Sequence, residues 1–333
     1  MINDLILIFA ILTINLFFFK FFIKLFLKLK IYDEPDFLRK IHKINVPLVG
    51  GTIFILNIFL YFLTKIFLLE ISFFNGYREI VGFLLGAILI FLVGLYDDRY
   101  SLKPNTKLIL IAIIVATSVN ISDTFQVNYI NFLFYENSIY LKNFGIIFTI
   151  FCFLVFLNAF NMMDGINGLS VTYFIICLIY LVLLNNNFNF FLFLFFPAVI
   201  FLFFNFQNKV FLGDSGSLLL GFILSCIFIK FHNEQYIYAD QIVLLMIIPG
   251  IDMLRVAINR VIKKQHPFKA DQSHLHHLIL KKYSPKVSYS VIITLVGITA
   301  LMSQIFTNKF INLSQIIVIV IIYFIYININ KLK

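Results

Sequence analysis

The sequence predicts an all-α, polytopic membrane protein, a single helical bundle of about eleven spans with an active site on its cytoplasmic face. Three observations lead there. Of 333 residues, 61% are apolar and only 13% charged, whereas soluble domains run at roughly 45–50% apolar and about 25% charged. The apolar residues fall in blocks of about twenty, long enough to cross a hydrocarbon slab of roughly 30 Å. The basic residues then segregate to one side of those blocks. An ordinary soluble domain, a disordered chain and a disulfide-stapled secreted module are all excluded.

The expected spans are Leu5–Leu29, Leu48–Leu69, Ile80–Tyr96, Lys107–Ile121, Phe144–Leu157, Ser170–Leu184, Phe188–Phe206, Ser217–Phe231, Gln241–Ile262, Val287–Phe306 and Phe310–Ile329. The first has neither a basic leader nor a small-residue cleavage site, so it reads as a retained span rather than a signal peptide. The fifth is short and runs directly into polar residues. No internal repeat and no long linker divides the chain, so residues 1–333 read as one domain. Trp is absent and Phe occurs 44 times, leaving Tyr to supply most of the interfacial aromatic belt. Cys152, Cys177 and Cys226 all lie inside apolar blocks and offer neither a disulfide framework nor a spaced metal site. No span shows a strong small-xxx-small seam.

Orientation follows from charge. This layout puts 21 of the 26 Lys and Arg on the side of the 30–47, 97–106, 158–169, 207–216 and 263–286 segments and the C-terminus. Only Lys65, Arg78, Lys142, Lys230 and Lys309 fall opposite. The positive-inside rule makes the first side cytoplasmic, so the net charge of +10 reflects loop charge and not nucleic-acid binding. Asp97, Asp98, Asp164, Asp214, Asp271 and five of the six histidines share that side. A transporter would place ionisable groups along both approaches to a mid-span site; a cluster at one face fits a reaction between a cytosolic substrate and a membrane substrate.

Four segments carry the chemistry. Gly94-Leu-Tyr-Asp97-Asp98-Arg99 puts adjacent carboxylates at a helix C-terminus, where the dipole disfavours them without a cation, and Lys107 follows at the start of the next span. In Asn158-Ala-Phe-Asn161-Met-Met-Asp164-Gly165-Ile-Asn167-Gly168, the polar residues Asn158, Asn161 and Asp164 recur every third position and share a helix face. Phe211-Leu-Gly213-Asp214-Ser215-Gly216-Ser217 is a small-residue turn entering a helix, where free N–H groups suit an anion. In His274-Leu-His276-His277, near Lys269, the i,i+3 spacing and the lack of cysteine argue for phosphate binding over zinc. Asp252 and Arg255 can pair at i,i+3 and support the site.

In this order, with Asp33-x-Pro, Arg39-Lys40-x-His42, Pro47 and Gly50-Gly51 preceding them, these motifs resemble the polyprenyl-phosphate N-acetylhexosamine-1-phosphate transferases of glycosyltransferase family 4. The final His274-x-His-His277 run is similar to the undecaprenyl-phosphate N-acetylglucosaminyl-1-phosphate transferase branch rather than the muramoyl-pentapeptide branch. The resemblance implies attack of undecaprenyl phosphate on the β-phosphorus of a UDP-amino sugar, N-acetylglucosamine by default, with release of UMP at the bacterial inner membrane. It implies Mg²⁺, or Mn²⁺ in its place, held by Asp214 with Asn161 or Asp164. Asp97 and Asp98 would face the lipid phosphate, and Asp97, Asp98, Asp164 and Asp214 form the catalytic set. Lys107, Asn158, Asn161, Asn167, His274, His276 and His277 would bind substrate, with Lys40 and His42 on the same surface. Homodimerisation is a further implication. One position departs: Asn167 stands where bacterial members commonly carry Asp beside the uracil ring. The rivals are the same reaction with another amino sugar, an intramembrane prenyltransferase, whose paired Asp-x-x-Asp motifs are missing here, and a transporter.

Overall fold

A computed structural model describes residues 2–35, 44–67, 73–184, 188–265, 272–305 and 311–331. Its helices are α1 (Ile2–Leu29), α2 (Gly50–Phe67), α3 (Tyr77–Tyr100), α4 (Pro104–Ile121), α5 (Gly145–Met163), α6 (Leu169–Leu184), α7 (Phe188–Phe206), α8 (Gly213–Asn233), α9 (Ala239–Ile262), α10 (Leu275–Leu280), α11 (Pro285–Ile305) and α12 (Ile311–Lys331). Eight of these are long and apolar enough to span a membrane, and shorter apolar helical stretches cover Gly50–Lys65, Leu169–Leu184 and Ser314–Phe324. The chain is therefore a multi-pass, all-helical membrane protein. Two antiparallel ribbons complete it. Strands β1 (Tyr32–Asp33) and β2 (Val46–Pro47) pair near the site, and β3 (Tyr129–Phe132) and β4 (Tyr135–Tyr140) form a hairpin on the opposite face.

The bundle is organised around α8, which is buried on every side from Ser215 to His232. A helix apolar all round belongs in the interior, and α3, α2 and α5 pack against it. Close approach rests on small residues. A Cβ at Gly86 of α3 would strike Ser118 of α4 and Phe222 of α8, and one at Gly82 would meet the Ser118 carbonyl at 3.0 Å. Gly82 and Gly86 thus form a small-xxx-small seam that the sequence reading overlooked, and it faces the protein's own helices.

Two predicted boundaries move toward the site. Helix α3 continues through Asp97 and Asp98 to Tyr100, and α5 continues through Asn158 and Asn161 to Met163. Polar residues are tolerated at these ends because they find partners. Asn158 Nδ2 donates to the Leu154 carbonyl of its own helix at 2.6 Å, and Asn161 bonds across to α8.

Candidate active site

The site forms where the starts of α2 and α8 meet the end of α3. Glycine makes that meeting possible. A Cβ at Gly50 would lie 2.7 Å from Leu212 Cα, one at Gly51 2.7 Å from Ser215, and one at Gly94 would overlap the Ser215 backbone. Gly213 adopts φ +72°, a left-handed conformation open to glycine, and a Cβ there would sit 2.7 Å from Asp98 Oδ2.

Asp98 fastens the N-terminus of α8. Its carboxylate accepts the backbone N–H groups of Asp214 at 2.7 Å and Ser215 at 3.1 Å. These are among the amide donors that the sequence reading left open for a substrate anion. The anion that meets them is the Asp98 side chain, because an α-helix leaves its first N–H groups unpaired and a carboxylate one helix away satisfies them. Asp98 thus holds the start of α8 in this geometry.

Asp97, one residue earlier, points elsewhere. One oxygen accepts the Leu102 N–H at 2.5 Å, closing the left-handed turn at Ser101, and the other meets Lys107 Nζ at 2.8 Å. Lys107 Nζ also lies 2.8 Å from Asp214 Oδ2. The ammonium therefore sits between two carboxylates, with Asp214 the more open of the pair at 35% side-chain exposure against 8% for Asp97. Asp214 Oδ1 accepts Asn161 Nδ2 at 2.6 Å, and the same amide nitrogen reaches Ser217 Oγ at 2.7 Å. Of the three predicted metal ligands, Asn161 thus presents nitrogen to Asp214. A metal would require its amide turned by half a revolution.

Asp164 caps the end of α5 and accepts the Ser170 hydroxyl. Burial, with the charge of Asp214 adding to it, pushes its carboxyl up to about 6. Asn167 donates to Asn208 Oδ1 at 2.7 Å and to the Asn205 carbonyl at 3.1 Å, and Asn205 Oδ1 accepts the Gly168 N–H. Asn205 and Asn208 were not singled out in the sequence; two asparagines closing an apolar span are the signal that was there. They tie the 164–168 turn to the loop entering α8.

The histidine loop covers this turn. A Cβ at Gly165 would collide with His276 Nε2, so the missing side chain lets the imidazole rest on the backbone beside Asp164. His276 is buried and its ring centroid lies 4.1 Å from that of His277. Burial and the neighbouring His277 hold His276 down at about 3, so it is neutral near pH 7. His274 Nδ1 faces Asp252 Oδ2 at 2.9 Å, which sets its tautomer and leaves Nε2 for a ligand. Asp252 Oδ1 also accepts Arg255 Nη2 at 2.8 Å, the Leu275 N–H at 2.9 Å and the Tyr323 hydroxyl at 2.7 Å. Tyr323 comes from α12, where no motif marks it.

The structure thus joins Asp97, Asp98, Lys107, Asn161, Asp164 and Asp214 into one neighbourhood, with His274 and His276 on its border. Asn158 makes no bond to that group among the described residues. Lys40, His42 and Lys269 lie outside the described residues.

Residues 80–232 match the profile of glycosyl transferase family 4. A protein of Thermotoga maritima named undecaprenyl-phosphate alpha-N-acetylglucosaminyl 1-phosphate transferase is 30% identical over 282 residues, 82% of this chain and 82% of its own length. The chain belongs to glycosyl transferase family 4. Proteins of the same name from Salmonella typhi and Escherichia coli K12 are each 28% identical, over 90% and 88% of this chain and 83% and 80% of their own lengths. The matched range holds the Asp97–Asp98, Asn158–Asn167 and Gly213–Ser217 segments of this family member, while its histidine loop lies beyond.

Proposed function

We propose that this enzyme transfers N-acetylglucosamine 1-phosphate from UDP-N-acetylglucosamine to undecaprenyl phosphate, releasing UMP. It acts at the bacterial inner membrane with its site facing the cytoplasm. The observation that carries the reading is Asp97–Lys107–Asp214 at the N-terminus of the buried α8, in a chain whose relatives bear that activity in their names.

A lipid phosphate oxygen attacks the β-phosphorus of the donor. The bond from that phosphorus to the oxygen bridging the two phosphates breaks, and UMP leaves with that oxygen. Positioning and charge neutralisation dominate such transfers. A phosphate monoester is largely ionised near pH 7, so Asp97 has little proton to remove; its role is to orient Lys107 toward the phosphates. His274 offers Nε2 to a phosphate or sugar oxygen, its other nitrogen being held by Asp252. Neutral His276 shields the 164–165 turn, and Asn167 with Asn208 supplies amides that match the donor and acceptor groups of a uracil edge.

The donor set fits Mg²⁺. Two carboxylates flank the point now held by the Lys107 ammonium, and their donors are oxygen. Such a site leaves positions for water and substrate oxygens, as Mg²⁺ prefers. Asp214 would hold the ion with Asp97 beside it, and Asn161 could join with its amide reversed. When bound, the metal would neutralise the pyrophosphate charge.

The test is UMP release from detergent-purified enzyme given undecaprenyl phosphate, Mg²⁺ and a panel of UDP-amino sugars. Release that depends on both lipid and metal, and is greatest with the N-acetylglucosamine donor, is expected. Faster turnover of another amino sugar would replace the donor, and pyrophosphate in place of UMP would replace the reaction class.

A further inference from the structure

Beside the histidine loop, α9, α10, α11 and α12 line a cavity of about 470 Å³. Its walls are aliphatic, among them Ile248, Leu295, Met302 and Ile319, and its mouth is marked by Ile298, Val318 and Ile322, each about half exposed toward the membrane. Along α11 it extends from Val291 to Met302, about 16 Å at 1.5 Å per residue. That is the depth of one leaflet of a hydrocarbon core roughly 30 Å thick.

The two ends differ. At the end toward the site stands Tyr323, whose hydroxyl donates to Asp252 and accepts from Arg255 Nε at 2.9 Å. At the far end stands Gln315, in the second turn of α12 and only 5% exposed. Neither Oε1 nor Nε2 of Gln315 has a partner among the described residues. The buried hydroxyl of Thr299, by contrast, is satisfied by the Val296 carbonyl of its own helix. A buried amide without partners is costly in an apolar setting. A primary amide at the head of a leaflet-deep apolar slot fits a chain that begins with a hydrogen-bonding group.

We propose that this cavity binds one acyl chain of a glycerophospholipid from the leaflet opposite the candidate site. The ester carbonyl accepts from Gln315 Nε2, and the chain runs down α11 and α12 to end against Tyr323. A polyprenyl chain fits less well: it carries no hydrogen-bonding group along its length, and its phosphate belongs at the other face. The seated acyl chain braces the turn of α12 that holds Tyr323 on Asp252, and through Asp252 the His274 ring. The proposal stands on the cavity and its buried amide and does not depend on the transferase reaction.

Native mass spectrometry of the full chain released from detergent, with fragmentation of the bound species, tests it. One glycerophospholipid per chain is expected to survive a wash that strips bulk lipid. Ile319→Trp, which fills the slot, should lower that occupancy at least about fivefold. Gln315→Leu, which removes the orphan amide without adding bulk, should lower it several-fold. Gln315→Leu should also raise the melting temperature of the delipidated protein while abolishing the gain on adding phospholipid back. A wild-type protein free of phospholipid, a polyprenyl phosphate in its place, or wild-type occupancy in both variants would each overturn the assignment.

Discussion

Helix α8 ends in a lysine–carboxylate triad at each face of the bundle, and the two triads are nearly matched in geometry. At its N-terminal end, Lys107 lies 2.8 Å from both Asp97 and Asp214; at its C-terminal end, Lys230 lies 2.6 Å from Glu79 and 3.0 Å from Glu234. Their surroundings part them. The Lys230 triad is closed: Asn75 donates its N–H to Glu79 and its amide to Glu234, and the Phe73 ring lies 5.4 Å from the ammonium. The Lys107 triad lies where Gly94 and Gly213 let α3 and α8 close on one another, with Asp98 and Asp164 close by. One ammonium among four acids leaves negative charge to be met; Asp164 is raised chiefly by burial, with the charge of Asp214 adding to it. Ion-pair distances therefore do not distinguish a strut from a site; the surplus of one sign does.

The comparison can be broken most sharply at the carboxylates. Asp214→Asn should lower UMP release by about a thousandfold or more, the range in which lost charge stabilisation is felt, while the melting temperature in detergent changes little. Glu234→Gln should leave turnover within about twofold. Similar losses in the two variants would erase the distinction.

The lysines come next. Lys107→Met should cost roughly a hundredfold in turnover yet tighten Mg²⁺ binding measured by calorimetry, because a metal at the proposed site would compete with the ammonium for the same two carboxylates. Lys230→Met should leave Mg²⁺ affinity alone and destabilise the protein by about 3–5 kcal/mol, the usual result of stranding a buried partner. Weaker Mg²⁺ binding by the Lys107 variant would show that lysine and metal act together instead.

Smaller effects separate the glycines. Gly94→Ala should push α8 off α3 and reduce turnover about tenfold or more. Gly250→Ala, where a Cβ meets nothing within 4 Å, should be silent in turnover and stabilise the helix by about 0.5–1 kcal/mol.

The smallest is a pH effect. With its carboxyl raised to about 6 in the fold, Asp164 binds its proton more tightly when folded than when unfolded. Its contribution is therefore fully present below the ordinary carboxylate range and is lost as pH rises through about 6. Without divalent metal, Asp164→Asn should melt higher than wild type at pH 8, with the gap narrowing toward pH 4. A gap independent of pH would remove Asp164 as its source.

Much of this was legible in the chain. Span count and the gathering of acids at one face follow from hydropathy and charge, since a bilayer imposes a length and a sign rule on each segment. The motif residues Asp97, Lys107, Asn161 and Asp214 were visible for the same reason: polar groups between apolar blocks need partners. Their division of labour was not. That Asp98 serves the α8 amides while Asp97 serves Lys107 depends on how α3 is rotated against α8, which Gly94 and Gly213 permit but do not announce. Tyr323 and Gln315 lie in an apolar helix without a motif, and only packing reveals that one reaches Asp252 while the other reaches no polar partner among the described residues.

The order of residues thus determined, without help, that this chain crosses a membrane many times and carries an oxygen-rich, phosphate-directed site of a recognisable family. Those properties are written in local composition and spacing. The tertiary structure alone decided which acid fastens α8, which one is more exposed and which glycines let α3 and α8 close together. Those are differences of an ångström or two between helices distant in sequence, and they arise only when the helices pack.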